Sequence, residues 1–159
     1  MSKKTKSTLS IIVALAIMGF IFYSSSMSYQ DQSLVSKIQK WLPGQPFSEF
    51  LSQINFKYAG TTISVPSLGY AQFIEFFIRK ATHFIVYFII GFNWARGLAG
   101  HMKQKPLAYL LAILITVLYA GADEFHQGIT PGRTPLIQDV LLDSAGGLLG
   151  IAIGYFKRF

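Results

Sequence analysis

The sequence predicts an all-α membrane protein with four transmembrane helices and a small extracytoplasmic loop domain between helices 1 and 2. Three observations predict it. Hydrophobic residues make up 52% of the 159-residue chain, and its mean hydropathy is +0.42. Charged residues are only 13%, where a soluble domain carries roughly 25%. The apolar residues gather in four runs, each near the ~17 to 25 residues a helix needs to cross the hydrocarbon. The length suits one domain, residues 1–159. The absence of cysteine excludes disulfides, a thiol nucleophile and a thiolate metal site. A net charge of +7 would suit nucleic acid, but the 14 Lys and Arg residues are scattered at the ends of apolar runs. That placement fits a protein that orients itself in a membrane by charge, and we exclude nucleic acid as a partner.

The expected spans are residues 9–24, 72–97, 107–124 and 138–156. Each must be helical to satisfy its own backbone in lipid. The first, behind Lys3, Lys4 and Lys6, also reads as a cleaved signal peptide with Ser24, Ser25 and Ser26 as the small residues after its apolar core. With the N-terminus inside, eight basic residues fall on inner segments, Arg158 among them, against six on outer ones. All seven acidic residues fall outside or in the outer part of a span. Both termini are therefore expected in the cytoplasm of a multi-pass bacterial plasma-membrane protein.

The outer loop is expected over residues 28–70. Leu34, Val35, Ile38, Trp41 and Leu42 recur at helical spacing, which predicts an amphipathic helix over 33–42 lying on the membrane surface. Pro46 opens a second short helix to about Ile54. Residues 55–58 and 61–65 read as two strands about the turn Ala59-Gly60. A helix then begins near Tyr70 and runs into the second span. Its Glu75 and Arg79, at i and i+4, read as a solvated ion pair at the helix start.

The polar residues of the spans fall on shared faces. Lys80, His83, Tyr87 and Gly91 are three, four and four apart. Asp139, Asp143, Gly146, Gly150 and Gly154 line one face of the last span, with glycines at every fourth position for close helix approach. Asp123, His126 and Gln127 share a face if the third helix persists past its apolar run, with Glu124 beside them. The turn around Pro131-Gly132-Arg133 brings Arg133 back to the same end. Polar groups in spans need mutual pairing or a ligand.

Three readings of this cluster compete. Lys80 and Arg133 could pair with Asp123, Glu124, Asp139 and Asp143 as clamps between helices. Lys80, Arg133 and protonatable His83 could hold a phosphate or carboxylate, which suits the forked donor of arginine. Or His83, Asp123, Glu124, His126, Asp139 and Asp143 could supply ligands to a divalent metal that activates water. The short pattern Asp123-Glu124-x-His126 is a weak metal signature.

Arg79-Lys80-x-x-His83-Phe84-x-x-Tyr87, Asp123-Glu124-x-His126-Gln127, Pro131-Gly132-Arg133, Asp139-Val140 and Asp143-x-x-Gly146-x-x-x-Gly150 together resemble the VanZ-like family. The end of the first span, Phe22-Tyr23-Ser24-Ser25-Ser26, also resembles its pattern, which favours a retained span. The resemblance covers residues 9–156. It implies a small multi-span envelope protein related to one linked with tolerance of the glycopeptide teicoplanin. The chain departs from the pattern at Asp143, often Asn in the family, and at Val86, where some members carry Glu. A mechanism using that Glu as a base would not transfer.

Our reading is a binding protein. Lys80, His83, Tyr87, Asp123, Glu124, His126, Gln127, Arg133, Asp139 and Asp143 would hold an anionic envelope ligand, a lipid headgroup or a lipid-linked cell-wall precursor. Membrane lipids are the expected partners, and oligomerisation is open. No catalytic residue, metal or cofactor is assigned. The alternative is a metal-assisted hydrolase or transferase acting on a phospho- or lipid-linked substrate.

Overall fold

The computed structural model describes residues 1–157; Arg158, counted above among the inner basic residues, lies outside them. The chain is mostly helical. Among the described residues, three helices are long and apolar enough to cross a membrane: α1 (Lys3–Ser25), α6 (Lys105–Ile129) and α7 (Ile137–Phe156). The remaining long helix, α5 (Tyr70–His101), is not one of the three. Lys80, His83, Asn93 and Arg96 dilute its apolar run. The four helices run up, down, up and down. The start of α1 and the last turns of α5 and α7 lie toward one end, and the connections α1–α5 and α6–α7 lie at the other.

Sequence sets the helix ends. Ser2 caps α1, its hydroxyl accepting from the Thr5 amide at 3.1 Å. Gly69, at φ 81°, breaks the chain before α5. Pro106 occupies the first turn of α6, where a missing N–H costs nothing. α6 does persist past its apolar run, through Gln127 to Ile129.

Helix α5 packs most extensively on α7. An added Cβ at Gly146 would strike the Phe84 carbonyl, and one at Gly150 the Phe88 carbonyl. The fourfold glycine spacing thus lets α7 lie against the α5 backbone. Around this seam Tyr87, Ile90 and Ala95 of α5, Ala14 of α1 and Ala112 and Ala120 of α6 form the buried core.

The segment between α1 and α5 holds α2 (Val35–Trp41), α3 (Ser48–Leu51), the strands β1 (Asn55–Tyr58) and β2 (Thr61–Ser64), and α4 (Val65–Leu68). The strands pair antiparallel with Tyr58 opposite Thr61. Ala59 and Gly60 both have positive φ, 49° and 82°, the backbone of a tight two-residue hairpin turn. A lone hairpin needs something to pack on. Here Phe56 and Tyr58 lie against Phe76 of α5, with ring centroids 6.1 and 5.3 Å apart.

Two expectations are corrected. The apolar face of α2 does not lie free on a surface: Ile38 is 3% exposed and packs with Tyr70 and Ala71 of α5. And Glu75 is not a solvated residue. It is 1% exposed and accepts from the Leu34 amide at 2.7 Å, the Tyr29 hydroxyl at 3.1 Å, the Ser33 hydroxyl at 3.4 Å and the Arg79 guanidinium at 3.0 Å. Arg79 also donates to the Gln32 carbonyl at 2.9 Å and sits over the Tyr29 ring. Glu75 is the post to which the chain leaving α1 is tied. Burial beside this carboxylate pushes the Tyr29 phenol above its ordinary pKa.

Candidate functional site

The polar side chains predicted to share faces gather at the hairpin end of the bundle, in three tiers. The first joins the hairpin to the helices. Lys80 Nζ pairs with Asp139 Oδ1, and the Tyr58 hydroxyl donates to the same oxygen at 2.5 Å. Lys80 also lies 4.8 Å from the centre of the Tyr58 ring. Burial, and then the bond to Asp139, push the Tyr58 phenol well above its ordinary pKa.

The second tier is the innermost. His83 Nδ1 lies 3.2 Å from Asp143 Oδ2. Asp143 is 1% exposed, and its Oδ1 is buried with no hydrogen-bond partner. Asp123, 3% exposed, accepts from Ser25 Oγ at 2.6 Å, Gln127 Nε2 at 3.2 Å and the Tyr87 hydroxyl at 3.3 Å. One ligand-capable atom from each of His83, Asp123 and Asp143 lies within 4.8 Å of the others. Three helices supply them: α5, α6 and α7.

The third tier is the α6–α7 turn. Arg133 donates from Nε to the Met27 carbonyl at 3.1 Å and from Nη1 to Gln127 Oε1 at 2.9 Å; Nη2 reaches Gln32 Oε1. Gln32 in turn donates to the Ser24 carbonyl and hydroxyl, both at 2.7 Å. Burial, and then the nearby charge of Arg79, lower the Arg133 pKa from its usual value. Arg133 pairs with no carboxylate among the described residues, so of the clamp reading Lys80–Asp139 forms and the Arg133 pairing does not. The Arg133 fork instead satisfies neutral oxygens of Met27 and Gln32 in the segment after α1 and of Gln127 on α6.

Two predicted site residues stand apart. Glu124 turns away from the triad and accepts from the Leu136 amide at 2.6 Å, securing the start of α7. His126 stacks on Phe22 of α1, ring centroids 4.4 Å apart, with its Nδ1 buried and unpartnered. Of the six metal-ligand candidates, then, His83, Asp123 and Asp143 come together and Glu124, His126 and Asp139 do not join them. Sequence reasoning missed Ser25, Gln32 and Tyr58. Ser25 carried a signal, as a serine closing an apolar run, but was read as a cleavage or family mark.

A cleft of about 90 Å³ opens between α1 and α5 beside the innermost tier. Phe20, Ile21 and Val86 form its apolar walls, and Ser24, Ser25, His83 and Tyr87 its polar lining. The His83 side chain is 33% exposed. A larger cavity of about 500 Å³, between α2 and the start of α5, is lined by no charged residue.

No curated protein and no solved structure matches the chain. The sequence model of the VanZ/LLP1 family matches residues 10–158, nearly the whole chain. Together with three helices fit to cross a membrane, the match makes this a membrane protein of the cell envelope, and the chain belongs to the VanZ/LLP1 family.

Proposed function

We propose that the chain spans the bacterial plasma membrane four times, with α5 as the fourth span and both termini cytoplasmic. α5 packs inside the bundle, where its polar face meets protein rather than lipid. Its 32 residues reach about 48 Å, longer than the ~30 Å hydrocarbon, so its first turns stand outside and carry the hairpin. The hairpin end is then outward. The chain has no native cysteine, so Lys57→Cys and Met102→Cys report cleanly. An impermeant thiol reagent added outside whole cells labels position 57 and spares position 102. Labelling of both from one side contradicts the topology.

At that outer end the protein binds the anionic headgroup of an envelope lipid or lipid-linked cell-wall precursor, and so affects tolerance of glycopeptide-type antibiotics. The cleft between α1 and α5 carries this reading: its lining joins apolar side chains of two helices to His83, Ser25 and Tyr87 of the polar tiers. Apolar walls suit an acyl chain, and the Ser24 hydroxyl and His83 suit a headgroup. Lys80 stands one turn away on α5. Native mass spectrometry of the purified full chain tests this with phosphatidylglycerol against phosphatidylcholine. Wild type retains phosphatidylglycerol preferentially, and His83→Ala with Lys80→Met loses the preference. Equal retention of both lipids by wild type sinks the reading.

A further inference from the structure

We propose that His83, Asp123 and Asp143 form a binding site for one divalent transition-metal cation, Zn²⁺ or Mn²⁺, with the cleft as its way in. The first argument is geometric. Their ligand atoms lie within 4.8 Å of one another, and metal bonds of about 2.0–2.2 Å set ligands ~3 to 4 Å apart. Small side-chain rotations close the difference.

The second argument is the state of the carboxylates. Asp143 is buried, and one of its oxygens has no partner at all. A buried acceptor left unsatisfied is costly, and a ligand that takes it removes the cost. Asp123 is held by three neutral donors, from Ser25, Tyr87 and Gln127. They orient it without cancelling its charge, as outer partners of metal ligands do.

The third argument is charge. Two carboxylates in one buried pocket face a single imidazole. The neighbouring cations are engaged elsewhere, Lys80 with Asp139 and Arg133 with neutral oxygens. A divalent ion balances both carboxylates and leaves His83 neutral, as a ligand must be. One imidazole and two carboxylates suit Zn²⁺ or Mn²⁺ better than Mg²⁺ or Ca²⁺. Of the three residues His83 lines the cleft, whose volume of about 90 Å³ has room for water beside it. The site also deepens the headgroup reading: an ion there gives a phosphate its positive partner amid acidic groups. It rests, however, on the three residues alone.

The full chain, purified in detergent and stripped with chelator, is dialysed against Zn²⁺ or Mn²⁺ alone. One equivalent per chain is expected. Asp143→Asn and His83→Gln weaken binding at least about ten-fold, and the exposed control Asp31→Asn leaves it unchanged. On Mn²⁺-loaded wild type, pulsed electron paramagnetic resonance detects one imidazole nitrogen, which His83→Gln removes. The nitrogen signal decides the matter even if Asp143→Asn fails to fold. No stoichiometric ion, no nitrogen coupling, or binding that both variants leave intact overturns the proposal. A chain that takes no metal yet prefers phosphatidylglycerol refutes the metal site and keeps the headgroup reading. A metal-binding chain with no lipid preference does the reverse.

Discussion

The two ends of the helix bundle use the same kinds of residue in opposite ways. At the end where α1 starts, Ser7 and Ser10 of α1 are buried, and each turns its hydroxyl back onto its own helix, to the carbonyls of Lys3 and Lys6 at 3.1 Å. Gly97 and Gly100 of α5 give them room: a Cβ at Gly97 would meet Ile11, and one at Gly100 would meet Ser7. Contact there is mostly close packing of small groups, with Thr8 Oγ1 of α1 3.1 Å from His101 Nε2 of α5 as a polar contact across it. At the hairpin end, Ser25 of the same helix donates across to Asp123 of α6. Charged and polar groups from α1, α5, α6, α7 and the hairpin meet there. One end holds the helices together chiefly by shape. The other gathers groups that shape alone does not require, and a site is the physical reason to keep them.

The strongest way to break the packed region is Gly150→Ala, on the α5–α7 seam. The added methyl strikes the Phe88 backbone, which cannot swing aside as a side chain can. We expect a loss of about 3 kcal/mol, read as a lowered unfolding midpoint in detergent. A neutral outcome would mean that the helices lie farther apart than described.

Next comes Glu75→Gln, which weakens bonds from Leu34, Tyr29, Ser33 and Arg79 at once. The expected cost is about 2 kcal/mol, because hydrogen bonds to a charged acceptor are the stronger ones. It should appear as faster hydrogen exchange over residues 27–69 while the bundle stays protected. Uniform exchange throughout the chain would show that this segment is not a separate unit.

Arg133→Ala should cost about 1 to 2 kcal/mol and free the α6–α7 turn from α1. Lysine cannot reproduce the fork that reaches Met27, Gln127 and Gln32, so Arg133→Lys should recover little. Full recovery by lysine would show that charge, not the fork, holds the turn.

The smallest effect belongs to Tyr58→Phe, about 1 kcal/mol from the lost bond to Asp139. It also sharpens the comparison through pH. The fold raises the Tyr58 pKa above 10.0, so it favours the neutral phenol. That contribution is whole below pH 10 and is lost as pH rises from there through the raised value. The stability gap between wild type and Tyr58→Phe should therefore narrow above pH 10. A constant gap would detach Tyr58 from the first tier.

Much of this was legible in the residues. Apolar runs, Pro106, Gly69 and Ala59-Gly60 mark helices and hairpin because helix ends and tight turns are local events. The shared face of Lys80, His83 and Tyr87 was equally legible from helical spacing. What spacing could not say was which partner each group would choose. Glu75 and Arg79 form the same i, i+4 pair in water or buried; Tyr29 and Leu34, over 40 positions away, decide which. The amphipathic face of α2 suits a membrane surface as well as the start of α5. Arg133 was placed at the right end, but its acceptors depend on how α1 ends beside the α6–α7 turn, a tertiary fact.

The central claim is that His83, Asp123 and Asp143 serve a bound ion rather than one another. Thermal unfolding of the stripped full chain, titrated with Zn²⁺ for wild type and Asp143→Asn, tests it most directly. An ion that binds only the folded state stabilises it by about 2.7 kcal/mol at a hundred times its Kd. The wild-type midpoint should therefore climb with Zn²⁺, while that of Asp143→Asn stays flat. Without metal, the variant should be no less stable than wild type, because it relieves the crowding of two buried carboxylates while its amide can still hydrogen-bond with His83. A variant that unfolds earlier than stripped wild type, with a wild-type midpoint that Zn²⁺ does not move, would show that the three residues are a clamp and contradict the account.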